Sequence, residues 1–392
     1  MAIQLLVTDR NLVPSGDPLA GWTKLAVDLN FNQPASGSVT LPATSAVEQL
    51  LQPGGRLVVI RDGEIWCAGP FEEPQQFSWD LEADAGTGTV TAKFSDDLAR
   101  VAGYLTYPEP SKTFATQTAT ANLKRQLTSV NAGAAIRTLV NENCGPGALA
   151  VRRIEHLVLG GATTAGSTIS IGTRFEPLLD ACRTAAATDG LGFRTRQVGN
   201  QIQFEVYQPQ DLTDTVRFSK GLGNLRRVAF TMSAPTGTSE LVQGGNDPAD
   251  QPAEGQPANE RAYVEVVSGH AADWYRVERL VEMTGTVAPA ELTQAGTREL
   301  GDDNPQASLE TLTVDTEDLK AGRDYWLGDK ASVVLPTGLE VVDLVQTIRL
   351  EATPNEGELV TSVIGSSDRS TTTATVRTVR DLARRLGRLE AR

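Results

Sequence analysis

Residues 56–68 read Arg56-Leu-Val-Val-Ile-Arg61, Asp62-Gly63, Glu64-Ile-Trp-Cys-Ala68. Two β-prone runs flank an Asp-Gly pair. Both residues of such a turn need positive φ, which Asp and Gly tolerate, so the stretch predicts an antiparallel hairpin. Trp66 then falls on the returning strand. Downstream, Gly88-Thr-Val-Thr-Ala-Lys-Phe94 predicts another strand, and Ser95-Asp96-Asp97 offers an N-cap for a helix over Leu98-Ala-Arg-Val-Ala102. Tyr107-Pro-Glu-Pro110 ends the pattern. Residues 1–108 read as a small antiparallel barrel or sandwich.

A second β stretch has a similar order. Asp324-Tyr-Trp-Leu-Gly-Asp-Lys-Ala-Ser-Val-Val-Leu335 runs into Pro336-Thr-Gly338, and a long strand covers Leu339-Glu-Val-Val-Asp-Leu-Val-Gln-Thr-Ile-Arg-Leu350. A turn at Asn355-Glu-Gly357 precedes Glu358-Leu-Val-Thr-Ser-Val-Ile364. Two readings stand: unrelated β stretches, which the pattern alone favours, or a duplicated barrel.

Between them the period changes. Asn131 caps a helix through Asn143, with Ile136, Leu139 and Val140 on one face and Gly145 beyond its end. Thr173-Arg-Phe-Glu176 has the form of a capping box, with Leu178, Leu179, Cys182 and Ala185 at helical spacing up to Gly190. Gly192-Phe-Arg-Thr-Arg-Gln-Val198, Gly199-Asn200 and Gln201-Ile-Gln-Phe-Glu-Val-Tyr207 predict a hairpin with one wet and one buried face. Residues 109–210 thus read as an α/β module. Residues 211–232 return to β patterning. From Gly244 to Glu260 no large apolar residue occurs, which predicts a mobile loop inside an acidic segment, 233–304.

The composition excludes several functions. The chain has 392 residues, enough for two to four domains, and a net charge of −14. A nucleic-acid-grasping surface needs a basic footprint, and here the balance is reversed. Glu240 to Asp303 alone carry 13 acidic and 4 basic residues. Three scattered cysteines, Cys67, Cys144 and Cys182, read as small buried hydrophobes of a reducing compartment. The start, Met1-Ala-Ile-Gln-Leu-Leu-Val-Thr-Asp-Arg-Asn11, lacks a basic n-region and reads as no signal peptide. No apolar run reaches membrane-spanning length.

Catalytic constellations are equally scarce. The two histidines, His156 and His270, have no metal-ligand spacing and no nucleophile motif beside them, so neither a catalytic residue nor a metal site is expected. The acidic pairs Asp96-Asp97 and Asp302-Asp303 lie in cap or loop contexts, where neighbouring carboxylates do not face one another across a sugar cleft. Gly160-Gly161 and Gly221-Leu-Gly223 read as turns, because no strand–loop–helix order surrounds them. Trp66 and Tyr325-Trp326 read as packing in a barrel core or rim. No cofactor is implied. At the C-terminus, Val379, Leu382, Leu386 and Leu389 follow a coiled-coil seam within a short helix over 371–392. Arg380 and Arg384 belong to six arginines that give residues 376–392 a net charge of +4.

Several segments, in order, resemble tail-hub proteins of long-tailed bacteriophages, the amino-terminal module of the tail-associated lysin family. They are Val59-Ile-Arg-Asp-Gly-Glu-Ile-Trp-Cys-Ala-Gly69; Arg174-Phe-Glu-Pro-Leu-Leu-Asp-Ala-Cys-Arg183 with Gly190-Leu-Gly-Phe193; and Gln208-Pro-Gln-Asp211 with Val216-Arg-Phe-Ser219 and Gly223-Asn-Leu225. The last is Tyr325-Trp-Leu-Gly-Asp-Lys-Ala-Ser-Val333. The resemblance marks Asp62, Gly63, Trp66, Gly328 and Asp329 as a barrel signature.

The resemblance implies a β-rich α+β fold with two small antiparallel β-barrels plus α/β modules, like a phage baseplate hub. The first barrel would be 1–108 and the second 211–232 with 305–370, interrupted by 233–304. The implied function is structural: a homotrimeric hub at the distal tail tip of the virion, made in the bacterial host cytoplasm. Its partners would be a sixfold distal tail ring, a tape-measure protein and tip or receptor-binding proteins, with viral DNA passing through unbound. Val379, Leu382, Leu386 and Leu389 would trimerise or plug the channel. The alternatives are a tail-associated cell-wall hydrolase or peptidase, and a carbohydrate-binding tip module.

Overall fold

The computed structural model describes residues 3–43, 54–72, 76–78, 88–118, 123–161, 164–232, 234–245, 261–284, 287–303, 307–355 and 357–365. The expected C-terminal helix, with Val379, Arg380, Leu382, Arg384, Leu386 and Leu389, lies outside these residues. The described chain forms two compact units, one of residues 1–228 with 311–365 and one of 229–310.

The first unit opens with β1 (Ile3–Thr8), β2 (Lys24–Asn30), β3 (Gln33–Pro42), β4 (Arg56–Arg61), β5 (Glu64–Pro70), β6 (Gln76–Ser78) and β7 (Thr89–Ser95). The Asp-Gly turn is present, with Asp62 at φ 53° and Gly63 at φ 87°. Val59 pairs with Cys67 but Ile60 pairs with Ile65, so Trp66 is an extra, bulged residue. Helix α1 (Leu98–Ala102) follows where expected. Its cap differs. Asp97 makes no side-chain cap, because its carboxylate is bound by Arg56 at 2.5 and 2.6 Å. Asp96 instead accepts from the Leu98 N–H at 3.2 Å.

The next segment contains β8 (Arg125–Asn131), α2 (Ala132–Asn143), β9 (Leu157–Leu159), β10 (Thr168–Thr173), α3 (Leu178–Ala187), β11 (Gly192–Val198) and β12 (Gln201–Tyr207). Asn131 caps α2 by accepting from the Gly133 and Ala134 N–H groups. Ile136, Leu139, Val140, Leu178, Leu179, Cys182, Phe193 and Phe204 share one core. The capping box over Thr173–Glu176 does not form. Thr173 is the last residue of β10, paired with Arg125, and α3 starts at Leu178 after Pro177. Between them Phe175 takes φ 50°, and its N–H donates to the Thr106 carbonyl at 2.8 Å. The residues between strand and helix therefore make a turn.

The remaining strands are β13 (Arg217–Ser219), β14 (Leu225–Met232), β15 (Ser239–Gly245), β16 (Arg261–Val267), β17 (Glu278–Thr284), β18 (Ala307–Thr313), β19 (Lys330–Val334), β20 (Glu340–Thr353) and β21 (Gly357–Ile364). Helices α4 (His270–Asp273) and α5 (Pro289–Asp303) lie among them, flanking β17 in sequence. β14 and β18 pair as a ribbon. One eight-stranded sheet runs β13-β19-β20-β2-β3-β7-β6, with β21 also on β20, while β1-β4-β5 form a separate sheet.

The β-rich expectation holds, and the two β stretches are joined through their ladders. Among the described residues the ladders stay open, and β2 pairs with β20 from Leu25↔Ala352 to Asn30↔Thr347. Joining the two arrays edge to edge satisfies backbone groups that each would otherwise expose. Arg349 reinforces the seam through Asp28 at 2.6 and 2.9 Å.

In the second unit β15 lies between antiparallel β16 and parallel β17, and Val242, Val281 and Leu292 form its core. Gly244 and Gly245, the first residues of the expected loop, end β15; the rest of that loop lies outside the described residues. Among the described residues, no helix is long and apolar enough to cross a membrane. The three cysteines are free and buried.

Candidate functional site: the joint between the two signature turns

Both signature turns lie in the first unit, and the fold brings them together. The bulge after Ile65 projects the Trp66 ring, and the turn Tyr325-Trp-Leu-Gly-Asp329 presents Trp326. Asp329 is buried and fixes that turn by accepting from the Trp326 N–H at 2.7 Å and the Gln210 N–H at 2.8 Å. Gly328 takes φ 86°, and a Cβ there would run into the Phe31 ring. Glycine is required at this turn on both counts. The outcome is an edge-on pair of rings, Trp66 and Trp326, with centroids 5.3 Å apart.

Charged groups brace the pair. The Arg61 guanidinium sits 4.8 Å from the Trp66 ring centroid, and Arg194 lies 5.6 Å from Trp326 and 5.2 Å from Tyr207. Arg61 is only 6% exposed and is fully engaged, donating to Glu358 at 3.0 Å, Asp315 at 3.5 Å and the Ala321 carbonyl at 3.2 Å. Burial works against its charge, but the Glu358 and Asp315 carboxylates outweigh burial and hold its pKa above the ordinary value. Burial in turn raises the Asp315 carboxyl, which accepts from Tyr325 Oη at 3.1 Å. Tyr207 Oη donates to the Leu327 carbonyl at 3.0 Å, and burial raises its pKa as well.

A cleft of about 880 Å³ passes this joint, lined by Trp66, Arg194, Tyr207, Trp326 and Asp329. Its cations are tied up in ion pairs and ring contacts, so the arrangement is that of a rigid packing joint. Among the described residues, no group of three or more His, Cys, Asp or Glu is placed to hold a metal ion. His156, at φ 62°, leads into β9, and its carbonyl accepts from the Ile202 N–H at 2.9 Å. His270 begins α4.

Sequence reading singled out Asp62, Gly63, Trp66, Gly328 and Asp329, and the joint brings Trp66, Gly328 and Asp329 into one neighbourhood. It missed Arg61, Asp315 and Glu358 as a buried network. Only the arginine before the Asp-Gly turn hinted at it, since its partners lie far away in the chain. In the second unit it also missed Glu240, which is 1% exposed on β15.

The fold resembles several solved structures at low sequence identity. The prophage MuSo2 43 kDa tail protein from Shewanella oneidensis matches with TM-score 0.57 and 11% identity, over 93% of this chain and 98% of that one. A tail protein from Neisseria meningitidis MC58 gives TM-score 0.55 and 12% identity, over 94% and 98%. Prophage tail protein gp18 from Listeria monocytogenes EGD-e gives 0.50 and 10%, over 96% and 99%. No curated protein matches the chain by sequence. The family model of the siphovirus ReqiPepy6 Gp37-like proteins matches residues 4–366. With nearly the whole described chain inside that match and a fold shared with prophage tail proteins, the chain belongs to the siphovirus ReqiPepy6 Gp37-like protein family.

Proposed function

We propose that this chain is a structural protein of a siphovirus tail, a homotrimeric hub at the distal tip of the virion. The observation that carries the reading is whole-length likeness in fold: the match spans 93% of this chain and 98% of a prophage tail protein. A small enzyme domain attached to a scaffold would match over part of its length only. The joint supports the same reading, because its buried charges and edge-on rings build rigidity.

In this proposal each chain contributes its two β arrays to a ring of six, which docks on a sixfold distal tail ring and passes a threefold tip to receptor-binding proteins. The ring surrounds the path of the tape-measure protein and the DNA. A net charge of −14 keeps phosphates from sticking as they pass. The basic segment with Val379, Leu382, Leu386 and Leu389 then closes the trimer below the ring.

Chemical cross-linking of assembled particles, resolved on a denaturing gel and detected with an antibody to the chain, tests the proposal. A trimer band is expected. Monomer alone contradicts it.

A further inference from the structure

The second unit holds a buried acidic pair that the tail reading does not use. Glu240 lies on β15, 1% exposed, opposite Val266 on β16 and beside Arg279 on β17. Asp303, 5% exposed, is the last residue of α5. Its carbonyl accepts from the Thr236 N–H at 2.9 Å, its Oδ1 from Thr236 Oγ1 at 2.5 Å, and its Oδ2 from Arg279 Nε at 3.0 Å. A Cβ on Gly237 would sit 2.7 Å from Glu240 Oε1 and 3.0 Å from Asp303 Oδ2. The two carboxyls thus converge on one point and lie within about 6 Å of each other, inside the range of strong like-charge coupling.

The charges do not balance there. Among the described residues, two buried carboxyls face one guanidinium, Arg279, which is hydrogen-bonded to Asp303, and Glu299 on α5 adds a further negative charge. Among the described residues, neither Glu240 oxygen has a hydrogen-bond donor. A buried carboxylate without donors is strongly disfavoured. A protonated Glu240 changes the situation, because its hydroxyl donates to the Asp303 carboxylate and like charges no longer meet.

We infer that Glu240 and Asp303 form a proton-dependent latch that fastens the C-terminal end of α5 to β15. With the proton in place, the carboxyl pair holds helix to sheet. Without it, two carboxylates repel across Gly237 and the end of α5 loosens. Among the described residues the unit's core cluster is Val242, Val281 and Leu292, and the latch fastens α5, which carries Leu292, to β15, which carries Val242.

The pH window follows from the pair. Burial, then the Asp303 charge, push the Glu240 carboxyl up from 4.5 to about 7, against the pull of Arg279. The latched state therefore binds more protons than the open one between these values. Its stability falls as pH rises across that window and levels off above about pH 7.

Hydrogen–deuterium exchange of the full chain, corrected for intrinsic rates, tests the latch. Protection of the last turns of α5 should drop on the order of tenfold between about pH 5.5 and about pH 8. Glu240→Gln, a neutral isostere, should keep the low-pH protection throughout. A flat wild-type profile overturns the inference, as does an undiminished pH dependence in Glu240→Gln. Should that variant fail to fold, the infrared carbonyl band of a protonated acid decides, read in an Asp96→Asn background. Its presence at about pH 6 and loss by about pH 8.5 support the latch, and its absence at about pH 6 sinks it.

Discussion

Trp66 and Trp326, far apart in the chain, meet edge to ring at 5.3 Å between centroids. One ring is placed by a bulge, the other by a turn that Asp329 holds through two N–H groups. Trp326→Ala should remove the ring contact and leave a void beside Arg194. For a half-buried tryptophan the loss is about 2–4 kcal/mol, measured as a drop in the urea midpoint at unchanged slope. An unchanged midpoint would show that the joint does not hold the first unit together.

Arg61 neutralises Glu358 and Asp315 from a site that is 6% exposed. Arg61→Leu strands both carboxylates, and breaking a buried pair costs about 3–5 kcal/mol. Adding Glu358→Gln and Asp315→Asn should recover part of that loss. A double-mutant cycle with no coupling would contradict the network.

Gly63 and Gly328 take nearly the same φ, 87° and 86°, in different surroundings. Nothing lies within 4 Å of a Cβ added at Gly63, whereas the Phe31 ring blocks one at Gly328. Gly63→Ala should therefore show the backbone cost alone, about 1–2 kcal/mol. Gly328→Ala should cost more, and equal thermal shifts in the two variants would refute the steric account.

Asp96 gives the first unit its own pH dependence. Burial, reinforced by the charge of Asp97, pushes its carboxyl from 3.8 to about 7, against the backbone hydrogen bonds it accepts. The native state holds that proton while the unfolded chain has released it. Stability should then decline as pH rises from about 4 to about 7 and flatten above. Asp96→Asn should make the slope shallower, leaving the share that the raised Asp315 and Glu240 carboxyls contribute, which urea titrations across that range would reveal.

Local signals were the legible ones. The Asp62-Gly63 turn, the Asn131 cap and the 192–207 hairpin each depend on residues within a few positions, and each formed. The capping box at Thr173 failed because pairing with Arg125 claimed that residue for a sheet. Asp97 failed as a side-chain cap because Arg56, distant in sequence, bound it first. The seam between β2 and β20 was hidden for the same reason: edge pairing carries no signature in either strand. The Glu240 and Asp303 pair looked like two more acids in an acidic segment until burial set them apart. Order along the chain conveyed the family, while the joint and the latch required the fold.

A reconstruction of the assembled virion tail, even at low resolution, decides whether the chain is a tip hub. Three copies of this chain are expected in a ring at the distal end, with a sixfold-like rim against the tail tube and a threefold face toward the tip. Density for the chain repeating along the tube, or a single copy at the tip, would contradict it.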